Sequence, residues 1–249
     1  MTVIKYIRLP FHFDAALLQD EVNELGLNYW QLHYQKLHYE GNWSAIPLRS
    51  VGGIADNIFV SPLDTAEYQD TVFLKPASYL SEVLASFKMP LLSVRLLKLD
   101  AGASIKEHKD ADLCYEQGSI RIHIPVATNN AVAFFLDKER IHLQEGECWY
   151  LNFNLPHSIQ NQSAAARIHL VIDAKVNDWI KEIFERPAII KKEIEPPGFD
   201  YNTKLEIIAH LRQLNTPTGL QMANEMEAAL KIGNQALTGI IKLTQDDPK

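Results

Sequence analysis

The sequence has few of the features that mark several large classes of protein. Its 249 residues include only two cysteines, Cys114 and Cys148, which excludes a disulfide framework and indicates a reducing, cytoplasmic setting. No run of 18 apolar residues occurs, so a membrane-spanning helix is not expected. Lys5 and Arg8 interrupt the apolar residues at the start of the chain, so a signal peptide is not expected either.

Positive charge is also scarce. The 24 lysines and arginines are outnumbered by 31 aspartates and glutamates, giving a formal net charge of −7. General binding to nucleic acid or to an anionic membrane is therefore not expected. Hydrophobic residues make up 47% and charged residues 22%, which is typical of a folded globular protein.

The middle of the chain consists of short apolar runs with period-two character. Turn residues separate the runs at intervals of about 8–12 residues. This pattern predicts a mainly β protein with flanking helices, built as a sandwich or jelly-roll barrel and not as a parallel α/β sheet. The runs are LLSVRLLKL (91–99), SIRIHIPV (119–126), AVAFFL (131–136), ECWYLNF (147–153) and RIHLVID (167–173).

Helical spacing of apolar residues predicts helices over 13–25, 79–87 and 176–184. A proline-containing segment, 186–198, indicates a linker, and two amphipathic helical patterns follow it. We therefore expect a barrel domain over 1–186 and a C-terminal helical region over 187–249. The C-terminal helices could form a homodimer, a lid or a partner-binding module, with plain packing as the alternative.

A candidate metal site begins with His108 and Asp110. In extended backbone, residues two apart point to the same side, so this His-x-Asp pair offers an imidazole and a carboxylate to one metal. His157, which follows a Pro-containing turn, is the candidate third ligand. Two imidazoles and one carboxylate form the facial triad expected for non-haem iron(II) oxygenases. Because an isolated His-x-Asp arises by chance, a structural role for these side chains stays open.

Charged residues inside two of the apolar runs point to an anionic ligand. Arg167 begins the run 167–173, where a lone charge is costly unless it is paired. Its planar fork suits the distal carboxylate of 2-oxoglutarate, with a structural ion pair as the alternative. In the run 119–126, Arg121 and His123 alternate with isoleucines and so share one face.

The residues just described resemble a known family. The segment GASIKEHKD…GSIRIHIPV…EGECWYLNFNLPHSIQNQSAAARIHLVID is similar to the aspartyl/asparaginyl β-hydroxylase family of Fe(II)- and 2-oxoglutarate-dependent dioxygenases. The similarity is nearest to the bacterial branch that includes a proline cis-4-hydroxylase, and it covers roughly a third of the chain, from about residue 92 to 173. The resemblance implies a double-stranded β-helix fold, which is a cupin-like jelly roll.

The resemblance also implies roles for particular residues. It implies that His108, Asp110 and His157 are the iron ligands and form the catalytic centre. It implies that Arg167 holds the distal carboxylate of 2-oxoglutarate and that His123 contacts its other end. Founding members of the family have glycine where this chain has Asp110, so this chain keeps the full triad, as the free-amino-acid branch does.

Three further residues are candidates for substrate binding. The resemblance implies that Arg121 faces a carboxylate of the substrate or cosubstrate. Arg49 could bind a substrate carboxylate and Trp43 could pack on the substrate, although Trp43 could equally be a core aromatic. A serine that assists 2-oxoglutarate in founding members aligns with Leu97, so that contact must come from elsewhere or be absent.

These observations lead to one functional expectation and two alternatives. We expect a cytoplasmic dioxygenase that uses Fe(II), 2-oxoglutarate and O₂ to hydroxylate an amino acid, free or small carrier-bound, at an unactivated carbon. The first alternative is β-hydroxylation of Asp or Asn side chains in a protein. The second is a cupin-like metal- or ligand-binding protein without oxygenase activity, which would have no reason to bury Arg167. A small-molecule substrate is expected, and no nucleic-acid or membrane partner.

Overall fold

The computed structural model describes residues 2–61, 63, 65–76, 78–187, 190–195, 201–228 and 230. The chain divides into two units, one over residues 1–195 and the other over 196–249. None of the described helices is both long enough and apolar enough to cross a bilayer.

Within the described residues, the first unit contains a large and a small antiparallel sheet. The large sheet has nine strands, in the order β14-β1-β11-β8-β13-β6-β4-β2 with β5 beside β4. The small sheet has five, in the order β10-β9-β12-β7-β3. The strands of the large sheet are β1 Val3–His12, β2 Gln31–Leu32, β4 Trp43–Val51, β5 Tyr68–Asp70, β6 Leu91–Leu99, β8 Ser119–Ala127, β11 Glu147–Leu151, β13 Arg167–Lys175 and β14 Ile190–Ile194; those of the small sheet are β3 Tyr39–Glu40, β7 Ser104–His108, β9 Val132–Leu136, β10 Glu139–Ile141 and β12 His157–Asn161.

The chain passes back and forth between the two sheets. From β6 onward it visits the large sheet, the small sheet with β7, the large sheet with β8, and the small sheet with β9 and β10. It then enters the large sheet with β11, the small sheet with β12 and the large sheet again with β13. This winding is a double-stranded β-helix, so the predicted fold class is confirmed.

Period-two alternation along the strands separates two cores. On β8, Ile120 and Ile122 are fully buried in a core that the large sheet shares with the helices. The intervening Arg121 and His123 point to the other face, where side chains of both sheets meet. That second core includes Leu97 of β6, Ile105 of β7, Phe134 of β9, Ile159 of β12 and Val171 of β13, so it is the interior of the barrel.

Three helices cover the outer face of the large sheet. The Asp14 side chain accepts hydrogen bonds from the backbone N–H groups of Ala16 at 2.9 Å and Leu17 at 3.3 Å, which caps the first helix. These helices agree with the three predicted ones and begin and end within a few residues of them. They are α1 Ala15–Glu24, α2 Tyr79–Ala85 and α3 Asp178–Phe184.

The C-terminal unit contains α4, Tyr201–Gln213, and α5, residues 217–228, which match the two amphipathic patterns. The segment predicted as a linker, 186–198, differs from that expectation because β14 lies within it and pairs with β1. The division of the chain into domains at residue 186 stays a prediction. Residues 231–249 of the predicted C-terminal region lie outside the described residues.

Candidate metal centre and ligand cavity

The small sheet brings the three candidate metal ligands together. His108 is the last residue of β7 and His157 the first of β12, and the two are directly paired across these strands. Their ring centroids are 4.2 Å apart. Asp110 follows β7, and its backbone N–H donates to the carbonyl of Phe153 at 2.9 Å. One ligand atom from each of His108, Asp110 and His157 lies within 4.8 Å of the other two.

Both histidines are held in the tautomer that a metal site needs. The Nδ1 atom of His108 lies 2.8 Å from the carbonyl oxygen of Lys106, and that of His157 lies 3.0 Å from the carbonyl oxygen of Leu155. A carbonyl oxygen only accepts, so each Nδ1 carries the hydrogen and each Nε2 has its lone pair free. Burial, aided by neighbouring His108, lowers the pKa of His157 to about 4, which keeps this ring neutral near pH 7.

A buried ionic network holds the carboxylate of the triad. Arg121 donates through Nη1 to Asp110 Oδ2, and through Nε and Nη2 to the two oxygens of Asp173 at 2.6 and 3.0 Å. Arg95 donates to the same fully buried Asp173 at 3.2 Å. Burial acts to lower the pKa of Arg121, but Asp173 and Asp110 outweigh it and raise that pKa. Burial likewise acts to raise the pKa of Asp110, but Arg121 and the two histidines hold it below its usual value.

A second cluster of polar side chains, formed by Arg167, His169 and His123, lies on the large sheet. Arg167, the first residue of β13, is only 2% exposed. Its Nη2 donates to Nδ1 of His169 at 2.8 Å, and its Nε has no hydrogen-bond partner among the described residues. His123 lies beside them, with Nδ1 3.2 Å from Nδ1 of His169 and a buried Nε2 that also lacks a described partner. Burial lowers the pKa of Arg167 to about 9, so the guanidinium is still charged near pH 7.

The surroundings of Arg167 suit an anionic ligand. In the part of the chain that the structure describes, no carboxylate forms an ion pair with this guanidinium, and burial alone shifts its pKa. An uncompensated buried charge is strongly destabilising, so a site of this kind calls for a counter-ion. The unpartnered nitrogens of Arg167 and His123 therefore fit the carboxylates of 2-oxoglutarate.

Phe153 lies between the metal-ligand residues and the polar cluster that contains His123. Its ring is stacked on His123 with centroids 4.9 Å apart and meets the ring of His157 edge-on at 4.6 Å. The guanidinium carbon of Arg121 lies 5.3 Å from the centre of the same ring. The metal ligands and the Arg167 group consequently flank one aromatic side chain in the barrel interior.

A cavity of about 700 Å³ opens beside the triad. Trp43 lines it and also packs in an aromatic cluster, with its ring centroid 3.6 Å from that of His33. Its contact with a substrate stays a prediction. Arg49 does not line the cavity. It donates to Asp70 at 2.5 Å and to the carbonyl of Tyr68 at 2.6 Å, so the structure does not bring it together with the other candidates. The charged residues of the lining are Arg95, Lys109, Asp110, Asp112, Arg121, Asp173 and Lys175.

Two functional candidates, Arg95 and Asp173, are visible only in the structure. The signals that could have found them are the ones used for Arg167. Arg95 is a charge inside the apolar run 91–99. Asp173 lies an even number of residues after Arg167 on the same strand, so the two side chains share one face of it. Leu97, where founding members of the family have a serine, is an apolar residue of the barrel interior paired with His169.

Comparisons with known proteins identify the family. The Aspartyl/Asparaginyl beta-hydroxylase family matches residues 13–176, and the chain belongs to that family. A curated relative is the L-proline cis-4-hydroxylase of Rhizobium meliloti (strain 1021), which is 27% identical over 190 residues, covering 74% of this chain and 66% of the relative. Another is an L-proline cis-3-hydroxylase 1 of a Streptomyces species, 25% identical over 63% of this chain and 56% of the relative. The chain thus spans just under two thirds of the first relative and little more than half of the second.

Solved structures with a related shape are more distant. A Pseudomonas putida prolyl-4-hydroxylase has a TM-score of 0.44 and 11% identity, covering 70% of this chain and 94% of that one. HygX from Streptomyces hygroscopicus, with nickel, 2-oxoglutarate and hygromycin B bound, has a TM-score of 0.44 and 9% identity, covering 71% of this chain and 84% of that one.

Proposed function

We propose that this protein is an Fe(II)- and 2-oxoglutarate-dependent dioxygenase that hydroxylates an amino acid, free or small carrier-bound, at an unactivated carbon. 2-Oxoglutarate would be decarboxylated to succinate in the same reaction. The observation that supports this most strongly is the buried guanidinium of Arg167, which has no carboxylate partner among the described residues. A metal-binding barrel with no anionic cosubstrate would gain nothing from this costly arrangement.

The metal would be held by His108, Asp110 and His157. Bound iron, together with O₂ and 2-oxoglutarate, would supply the oxidising chemistry. The protein contributes orientation: carbonyl oxygens fix the tautomer of each histidine, and Arg121 holds one oxygen of Asp110. The other oxygen of Asp110 lies 3.6 Å from Nε2 of His108, so it faces the imidazoles with which it would share a metal.

The cosubstrate would be anchored by Arg167 and His123. The free donors of Arg167 would take the distal carboxylate of 2-oxoglutarate in a charge-assisted fork. Nε2 of His123, whose ring is stacked on Phe153 and which has no partner among the described residues, would face the other carboxylate end. Leu97 offers no hydroxyl here, so these two side chains would carry the polar contacts.

The substrate would occupy the cavity beside Asp110. Arg121 and Trp43 line it, and Arg95 contributes a buried Nε with no partner among the described residues. We assign the carboxylate of the amino acid to the end of the cavity lined by Arg95 and Arg121, and leave Arg49 out because it does not line the cavity. The two curated relatives, named as L-proline hydroxylases, support an amino acid over a protein side chain as substrate.

The proposal is tested by measuring succinate formation by the purified protein with Fe(II), ascorbate, 2-oxoglutarate and air. We expect slow formation without substrate and faster formation with at least one of the common amino acids, accompanied by a product heavier by one oxygen atom. The His108→Ala variant should form neither product. Stimulation only by peptides containing Asp or Asn would favour the protein β-hydroxylase. Absence of succinate under all conditions would leave a non-oxygenase binding protein.

A further inference from the structure

Arg167, His169 and His123 form a short chain of hydrogen-bonding groups. Nη2 of Arg167 lies 2.8 Å from Nδ1 of His169. A guanidinium has five donors and no acceptor, so the Nδ1 atom of His169 must accept and cannot carry a hydrogen. Arg167 thereby fixes the tautomer of His169.

The same nitrogen of His169 also determines the tautomer of His123. The Nδ1 atoms of the two rings are 3.2 Å apart, and the ring centroids are 5.4 Å apart in an edge-to-face arrangement. The single lone pair of His169 Nδ1 is shared between Arg167 and His123, because a bare Nδ1 on His123 would place two lone pairs against each other at 3.2 Å; Nδ1 of His123 therefore carries the hydrogen that lies between the two rings. In a neutral ring, Nε2 of His123 is then left without a hydrogen. That atom is buried and has no partner among the described residues.

The charges around His123 keep its ring neutral while no anion is bound. The titratable groups facing it come from four strands: Arg121 on its own β8, Arg95 on β6, His157 on β12, and Arg167 with His169 on β13. Burial, and after it the cations Arg167 and Arg121, hold the pKa of His123 well below its usual value. The ring of Phe153 is stacked on His123 and in contact with His157.

A carboxylate placed against a bare imidazole nitrogen is unfavourable, because both atoms present lone pairs and neither can donate. A proton taken from solvent resolves this conflict. The resulting imidazolium donates from Nδ1 to His169 and from Nε2 to the carboxylate, and its positive charge is matched by the added negative charge.

We propose that His169 is a positioning residue that fixes the tautomer of His123, so that binding of 2-oxoglutarate is coupled to the uptake of one proton at Nε2 of His123. This inference rests on the proposed function, since it takes 2-oxoglutarate as the ligand of Arg167 and His123. The chain of contacts gives His169 a role that does not require it to touch the cosubstrate.

The coupling has a definite sign. Bound anion raises the pKa of His123, so affinity for 2-oxoglutarate is highest at low pH and falls as the pH rises through the pKa of the complex. Between the pKa of the free protein and that of the complex the affinity decreases by up to about tenfold per pH unit, and above the pKa of the complex it levels off. No other ionisation is required for this trend near neutral pH.

Isothermal titration calorimetry of the anaerobic Fe(II) holoprotein with 2-oxoglutarate tests the inference. Titrations in buffers of different ionisation enthalpy, between about pH 6 and 8, give the number of protons taken up. We expect an uptake that approaches one proton at the low end of this range. Binding of 2-oxoglutarate with zero proton uptake throughout would overturn the inference and leave the proposed function intact. Absence of binding would overturn both.

Two substitutions at His169 separate positioning from packing. His169→Asn keeps an acceptor, the amide oxygen, near the position of Nδ1 and should retain the proton uptake. His169→Leu removes the acceptor, so His123 can place its single hydrogen on Nε2; 2-oxoglutarate should then bind without proton uptake and with a flattened pH profile. Unchanged uptake in His169→Leu, or lost uptake in His169→Asn, would contradict the role of His169.

A spectroscopic measurement covers the case in which His169→Leu does not fold. Histidine ¹⁵N chemical shifts of the full-length protein with Zn(II) in place of Fe(II) report the tautomer of His123 directly. We expect a neutral Nδ1–H ring before addition of 2-oxoglutarate and an imidazolium after it. A neutral ring with its hydrogen on Nε2 before addition would overturn the inference.

Discussion

At the scale of single residues, Arg167 combines a cost to the folded protein with a benefit to ligand binding. Its guanidinium is buried, donates to His169 at 2.8 Å, and has no ion-pair partner among the described residues. Burial lowers its pKa to about 9, the direction expected for a cation removed from water without a counter-ion. The same feature gives the protein a strong binding site for a carboxylate.

We therefore expect Arg167→Met to have two opposite effects. The affinity for 2-oxoglutarate should fall by roughly 30-fold or more, since a lost charge-assisted fork is worth at least about 2 kcal/mol. Without ligand, the free energy of unfolding should rise by about 1–4 kcal/mol because the uncompensated charge is gone. Calorimetry and urea denaturation measure the two effects. Arg167→Lys is the matched control, which keeps the charge and should show no gain in stability; unchanged affinity in Arg167→Met would contradict the assignment.

Asp173 stabilises the folded protein, because its carboxylate forms ion pairs with two buried cations. Its oxygens accept from Arg121 at 2.6 and 3.0 Å and from Arg95 at 3.2 Å. Asp173→Asn should lower the free energy of unfolding by about 3–5 kcal/mol, since Arg95 loses the carboxylate it donates to and Arg121 keeps only Asp110. The same replacement at Asp112, which is exposed on the cavity rim, should change it by no more than about 0.5 kcal/mol. Equal denaturation midpoints for the two variants would show that the network contributes little.

The residues that the sequence predicted share a local signature. His108 and Asp110 form a recognisable pair, and Arg167 is a charge inside an apolar run. The link from Arg121 through Asp173 to Arg95 was not predicted, because it depends on which strands are neighbours in the sheet. Arg49 shows the limit of residue type alone: it resembles a carboxylate-binding residue, but β5 supplies Asp70 as its partner.

At the scale of elements, β7 and β12 position the triad although neither belongs to the predicted strands. Their sequences, SIKEH and HSIQN, are short, and each contains exposed polar residues, so the hydrophobic pattern that revealed β6, β8 and β13 is weak in them. Pairing between segments about 50 residues apart in sequence makes them strands. Local pattern could predict strands that are buried on both faces, and not strands defined by a distant partner.

The strand β14 provides a test at the same scale. Five of its residues pair with β1, from Val3↔Ile194 to Arg8↔Ile190. A chain ending after Glu195 keeps this pairing, whereas one ending after Arg186 exposes the backbone of β1 at the sheet edge. We expect the shorter chain to be less stable to urea and to aggregate more readily in size-exclusion chromatography. Identical behaviour of the two chains would mean that the predicted boundary at residue 186 is adequate.

At the scale of the whole molecule, buried neutral histidines make the fold sensitive to acid. Burial lowers the pKa of His157 to about 4, and the pKa values of His123 and His169 are also lowered by burial. A histidine whose folded pKa lies below its unfolded value of about 6.5 binds its proton more readily when unfolded. Stability is therefore lost as the pH falls below about 6.5, because protons then favour the unfolded chain.

For the metal-free protein, we expect the free energy of unfolding to fall between about pH 6.5 and 4. His157 alone accounts for a loss of about 3 kcal/mol, given its pKa of about 4. Urea denaturation at a series of pH values measures this loss. His157→Asn should reduce the pH dependence, and His142→Asn, at an exposed position, should leave it unchanged. A free energy of unfolding that stays constant over this range would contradict the assignment of buried neutral rings.

An anaerobic titration of the Fe(II)-loaded protein with 2-oxoglutarate tests the metal ligands and the carboxylate-binding role of Arg167 in one experiment. A keto acid that binds next to a triad-held iron produces a visible metal-to-ligand absorption band. We predict that the band appears, saturates at one equivalent of 2-oxoglutarate, and is absent from His108→Ala. Failure of the band to appear in the wild-type protein, with iron bound and 2-oxoglutarate in excess, would contradict the assignment of His108, Asp110, His157 and Arg167 to an iron and 2-oxoglutarate site.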